Sequence, residues 1–209
     1  MKATYWSIFL VASLFLAACG NQPTPGTSPE TEEEKMHREH TNPADNLAHK
    51  GIIILEEQYQ PNREFGYQIV TFFGSYLSLE EAFVKSDTVA ANNAAREMKF
   101  LLDLIPEPAS GDKAAEAWAN HKEGYRKNLT EFLHVQDLEE KRSYFSHITE
   151  FLYCTFKSFD MEAGDIHVAY CPMAFDNKGA YWLTDDHKIR NPYFGDKMLK
   201  CGEITEIIP

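Results

Sequence analysis

The chain has 209 residues and a formal net charge of −12, an acidic balance that argues against a nucleic-acid-binding role, which needs a basic face. Hydrophobic residues make up 44% and aromatics 13% of it, enough to bury one real core with some chain left over as a tether. Its four cysteines, Cys19, Cys154, Cys171 and Cys201, include no Cys-x-x-Cys pair, so the usual thiol-redox motif is missing.

The first residues set the compartment. Lys2 is followed by an apolar run from Trp6 to Leu16, too short for a comfortable membrane span. It ends in Leu16-Ala17-Ala18-Cys19, which resembles a bacterial lipobox. On that resemblance residues 1–18 are a lipoprotein signal peptide to be set aside from the fold, and Cys19 is lipidated and begins the mature chain. The expected location is the cell envelope, held to the membrane by lipid and facing the periplasm. Residues 20–35 are rich in Pro, Gly, Ser, Thr and Glu and read as a flexible tether. His37, His40 and His49 follow in what reads as solvated linker. The expected boundaries are therefore a tether over 19–55 and a folded domain over 56–209.

From about Asn62 to Asp160 the apolar spacing is helical. Phe65, Ile69, Phe72, Phe73, Tyr76, Leu79 and Phe83 recur at steps of three and four. Asp87 is a candidate N-cap for a second helix through Ala90, Ala94, Met98, Leu101, Leu102 and Ile105, stopped by Pro106. Asp112 starts a third with Trp118, Tyr125, Leu129, Phe132 and Leu133. Asp137 starts a fourth with Leu138, Phe145, Ile148, Leu152 and Phe159. Four amphipathic helices with short connections predict a mainly α fold, an antiparallel four-helix bundle. After Gly164 the pattern changes to a turn-rich C-terminal cap. It contains one short strand, Asp165 to Tyr170, with Tyr181, Trp182 and Phe194 as anchors.

The cap carries the candidate chemistry. It opens with Cys171-Pro172-Met173 and closes with Met198-Leu199-Lys200-Cys201. Along an extended chain residues i and i+2 point the same way, so Cys171 and Met173 can aim at one point, and His167 faces the side of Cys171. Met198 and Cys201 stand three apart, one helical turn. Asn191-Pro192-Tyr193-Phe194-Gly195-Asp196 is a turn that can fold the second pair onto the first. Soft sulfur ligands select soft cations, Cu(I) above all, which makes Cys171, Met173, Met198, Cys201 and His167 a candidate copper(I) set. In an oxidising compartment the two cysteines can equally form a disulfide that staples the cap as a protein-interaction module. Both readings stand at this point. Lipidation of Cys19 leaves three thiols, and Cys154, among Phe151, Leu152 and Phe156, reads as a small buried hydrophobe. His121, His134 and His187 read as surface or satisfied core histidines. No nucleophile elbow, zinc-protease, phosphate-loop or dinucleotide motif occurs, so no enzyme is expected.

Several of these segments resemble a bacterial family, domain-of-unknown-function family 3347. They are Tyr170-Cys171-Pro172-Met173-Ala174, Gly179-Ala180-Tyr181-Trp182-Leu183, Ile189 through Met198, and Cys201-Gly202. In the helical part, Tyr76-Leu77-Ser78-Leu79-Glu80-Glu81-Ala82-Phe83-Val84 with Asp87 resembles the family's first-helix pattern. The resemblance spans about residues 60–205. The family occurs as small exported proteins and as the C-terminal domain of periplasmic adaptors of copper/silver efflux systems. The resemblance thus implies metal handling, with efflux components as partners. Members often carry a His just before the Phe of the fourth helix. Here Tyr144 holds that place before Phe145, with His147 two residues on.

Overall fold

The computed structural model describes Leu47, residues 50–108 and residues 112–209. The signal peptide, Cys19, the lipobox and the tether through residue 46 lie outside the described residues, as do His37, His40 and His49. Four long helices come first: α1 Arg63–Val84, α2 Thr88–Leu104, α3 Asp112–His134 and α4 Leu138–Ser158. Three strands follow, β1 Ile166–Cys171, β2 Ala180–Thr184 and β3 Glu203–Ile208, with a 3₁₀ turn at Gly195–Lys197 before the last.

The helix starts follow from capping chemistry. The Asn62 side chain accepts from the Phe65 amide, Asp87 from Ala90, and Asp137 from Glu140. Each satisfies a backbone donor that has no partner inside its helix. The α2 helix ends because Ile105 precedes Pro106 and is held extended, at φ −69 and ψ 118. A buried cation helps close α3. The Lys141 ammonium donates to the Phe132 carbonyl at 2.6 Å and lies over that ring.

Aromatic rings hold the bundle together. Phe65 meets Trp118, Phe72 meets Tyr125 and Phe83 meets Phe132, so contacts between α1 and α3 climb in the same direction. Contacts of α1 with α4 run the opposite way, Phe73 to Phe156 and Tyr76 and Phe83 to Phe145. That is the up-down-up-down arrangement of an antiparallel four-helix bundle. Gly124 on α3 makes one close crossing possible. A Cβ there would lie 2.2 Å from the Phe151 ring on α4.

The packed domain starts earlier than residue 56. Leu47 and Ile52 are buried. The Ile53 amide donates to Asn120, the Leu55 amide to the Ser158 hydroxyl and the Tyr59 amide to the Ser158 carbonyl. The apolar run Ile52-Ile53-Ile54-Leu55 is thus a strap on α3 and α4, because four aliphatic side chains in a row gain more by burial than by solvation. His121 anchors it. Its Nε2 lies 2.6 Å from the Ile53 carbonyl and its Nδ1 3.1 Å from the Thr155 hydroxyl. A carbonyl only accepts, so Nε2 carries the proton and Nδ1 accepts. Burial lowers the His121 pKa to about 4. It is a satisfied core histidine, whereas His134 and His187 are exposed.

The cap is a three-stranded antiparallel sheet in the order β2-β1-β3. The short strand expected before Cys171 is its central member. Two partners were not foreseen: β2, from the alternating Ala-Tyr-Trp-Leu-Thr, and β3 at the C-terminus. A bulge where β3 pairs with Val168 and Ala169 frees the Thr205 hydroxyl to donate to the Val168 carbonyl. Tyr76 ties sheet to bundle. Its hydroxyl accepts from the Leu183 amide and bonds Thr149 at 2.7 Å.

Candidate functional site

Cys171 ends β1, paired with Ala180 and fully buried. By strand alternation it shares a face of the sheet with Ala169 and with Trp182, the partner of Ala169. Cys201 lies 30 positions later in the loop before β3, half-buried. The two Sγ atoms are 3.2 Å apart, without a covalent bond.

A run of directed contacts makes that meeting possible. Arg142, a buried guanidinium on α4, donates Nε–H to the Pro192 carbonyl at 2.9 Å. Its other nitrogens reach the Phe83 carbonyl, the Ser86 hydroxyl and Glu139. One side chain thereby joins the end of α1, the start of α4 and the cap loop. Arg190 pairs with Glu81 on α1. Asn191, fully buried, donates Nδ2–H to the Cys201 carbonyl at 2.6 Å, while its Oδ1 accepts from the Tyr193 amide. Gly202, at φ +134, lets the loop pass under Trp182. A Cβ there would meet the indole at 2.7 Å and the Tyr170 carbonyl at 2.8 Å. Asn191 and Arg142 were not singled out from the sequence. The Asn-Pro turn was visible; the reach of its side chain to residue 201 was not.

The other candidate ligands are placed differently. The strand stops at Cys171, and Pro172 and Met173 form a turn, so the alternation that would aim Met173 alongside Cys171 ends before it. Met173 is 46% exposed. The chain then makes a left-handed turn in which Phe175, Asp176 and Asn177 have φ of 52, 58 and 65, a conformation that disfavours side chains with a Cβ. Met198 is half-buried at the end of the 3₁₀ turn, and its carbonyl accepts from the Cys201 amide at 3.1 Å. One turn does join Met198 and Cys201. His167 stands four residues up β1 from Cys171, about 13 Å along a strand. The structure does not bring it to the thiols. Cys154 is fully buried on α4, and burial pushes its thiol pKa well up.

Burial and the neighbouring Cys171 thiol push the Cys201 thiol up to about 11. At neutral pH Cys201 is therefore protonated, and a cation bound there must displace its proton. The donor set suits a soft cation. Two metal–sulfur bonds of about 2.3 Å at a tetrahedral angle separate the sulfurs by about 3.8 Å, a small opening of the observed contact. Among the described residues no group of three or more His, Cys, Asp or Glu could hold a metal ion. A site here would rest on the two thiolates and on thioethers. Among the described residues no helix is long and apolar enough to cross a membrane.

Residues 72–164 match the family described as protein of unknown function (DUF3347). The matched residues run from within α1 through α4 and end before β1. The DUF3347 match is therefore to the helical bundle, and Cys171 and Cys201 lie beyond it. No curated protein and no solved structure matches the chain.

Proposed function

We propose that this is a lipid-anchored cell-envelope protein that binds a soft monovalent cation, Cu(I) or Ag(I), for sequestration or handover to efflux components. It acts as a binding protein, not an enzyme. The observation that carries the reading is the contact between Cys171 and Cys201, two thiols 30 positions apart and 3.2 Å from each other. Thiolates are the preferred ligands of such cations. Cys171 supplies a buried ligand and Cys201 a half-exposed one. Handover needs this asymmetry, because a receiving site can reach one sulfur while the other still holds the metal. Met198, in the same turn as Cys201, and Met173, at the surface, are the thioether candidates. His167 is left out by its distance along β1. The net charge of −12 favours the approach of cations.

The same contact favours a second reading, a disulfide that staples the cap for docking to another protein. The methionines separate the two. A disulfide is indifferent to nearby thioethers, whereas a Cu(I) site weakens when one is removed. Met173→Leu and Met198→Leu should keep the fold at a cost under about 1.5 kcal/mol. At least one should lower Cu(I) affinity in competition with a chelator. Unchanged affinity in both would favour the staple. Anchoring has its own check: Cys19→Ser should release the protein from membranes, and unchanged fractionation would remove the lipid from the account.

A further inference from the structure

We infer that Cys171 and Cys201 form a redox gate on this site: the dithiol takes the cation, the disulfide cannot, and a small-molecule disulfide is the electron acceptor. The inference rests on the metal-binding reading and joins its two rival states into one cycle. The sulfurs are in contact but unbonded at 3.2 Å, and a disulfide needs them about 1.2 Å closer. That change is small enough for the two side chains to supply by rotation. The backbone around them is already held by the bond from Asn191 to the Cys201 carbonyl and by the bond from Arg142 to the Pro192 carbonyl.

Exposure sets the order of events. Cys171 is fully buried and Cys201 half-exposed, so an incoming disulfide R–S–S–R meets Cys201 first. The Cys201 sulfur, losing its proton, attacks one sulfur of R–S–S–R. That S–S bond breaks and one RSH leaves with the proton. Cys171 then loses its proton and attacks the Cys201 sulfur of the mixed disulfide, expelling a second RSH. The protein is oxidised by two electrons and one R–S–S–R is reduced to two RSH. Neither sulfur is now a thiolate: one electron pair forms the S–S bond and two electrons have passed to R–S–S–R, and a neutral disulfide with thioethers is a weak ligand set. Cys154 is buried on α4 and takes no part. Excess RSH reverses both steps. Partly exposed disulfides are the labile, regulatory kind.

The test equilibrates the full mature chain, and its Cys201→Ser variant, in glutathione buffers from fully reduced to fully oxidised. Intact mass and peptide mapping follow the thiols, and Cu(I) competition with a chelator is measured at each ratio. We expect the wild type to lose two hydrogens reversibly, with any trapped glutathione on Cys201. Cu(I) capture should fall by about a hundredfold or more on oxidation and return on reduction. Cys201→Ser should form no internal disulfide. Free thiols at both Cys171 and Cys201 at every ratio, with Cu(I) capture intact, would overturn the gate and leave the metal reading standing. Oxidised protein that captures Cu(I) as well as reduced protein would also overturn the gate. A reversible disulfide with no Cu(I) capture by the reduced form would overturn the metal reading, and the gate with it.

Discussion

Acid should loosen the strap through His121. Its imidazole is buried, donates to the Ile53 carbonyl and accepts from Thr155, and burial lowers its pKa from 6.5 to about 4. In the unfolded chain the same ring titrates near its ordinary value, so between these two pH values the unfolded state holds the extra proton. The stabilising contribution is full above about pH 6.5 and is lost as pH falls towards about 4. The gap is worth about 3 kcal/mol, of which about 2.5 kcal/mol has gone by pH 4.5. Other groups also respond to acid. Glu81 and Glu150, whose pKa values are lowered, lose stability, and buried Glu80, whose pKa is raised, gains it. A comparison with His121→Gln cancels them, because Gln can still donate to Ile53 but does not titrate. Urea unfolding at pH 7.5 and 4.5 should show the wild type losing about 2.5 kcal/mol more than the variant. Equal losses in the two proteins would refute the assignment of a neutral, strap-holding His121.

Arg142→Met should cost about 2 kcal/mol in chemical unfolding, because it strands the buried Pro192 carbonyl and removes one donor from the Phe83 carbonyl, which keeps the Ser86 amide. It should also speed maleimide labelling of Cys201, whose loop it helps to hold. Gly124→Ala should destabilise by about 1–3 kcal/mol despite the better helix propensity of Ala, since its Cβ meets the Phe151 ring at 2.2 Å. Adding Phe151→Leu should recover part of that loss in thermal unfolding. Closing the Cys171–Cys201 disulfide, across 30 positions, should stabilise the cap by about 3.5 kcal/mol over the dithiol, read as a higher melting temperature that reductant removes.

The bundle was legible because its signals are local. Asp87 and Asp137 announce helix starts by their capping chemistry, Pro106 announces a stop, and Phe65, Phe72, Phe83, Trp118 and Tyr125 fall on one face at helical spacing. The sheet was less so. Strand pairing joins Ala169 to Trp182 and to Ile204, and no local pattern states which strands meet. The meeting of Cys171 with Cys201 followed from the turn between them, but the aim of Met173 did not, because the strand ends one residue too soon. By strand alternation His167 lies on the face of Cys171, yet a shared face is not a shared point over four strand residues. The strap is not legible as packed chain because Ile52 to Leu55 adjoins a polar, Glu-rich segment, and its partners Asn120 and Ser158 are distant in sequence.

The central claim is that the cap offers a sulfur site for a soft cation. Its most direct test is Cu(I) titration of protein purified anaerobically, with free thiols counted on the same sample. The account predicts free thiols at Cys171 and Cys201 and about one Cu(I) bound per chain, abolished in Cys171→Ser. Free thiols in a folded protein that binds no Cu(I) would contradict it.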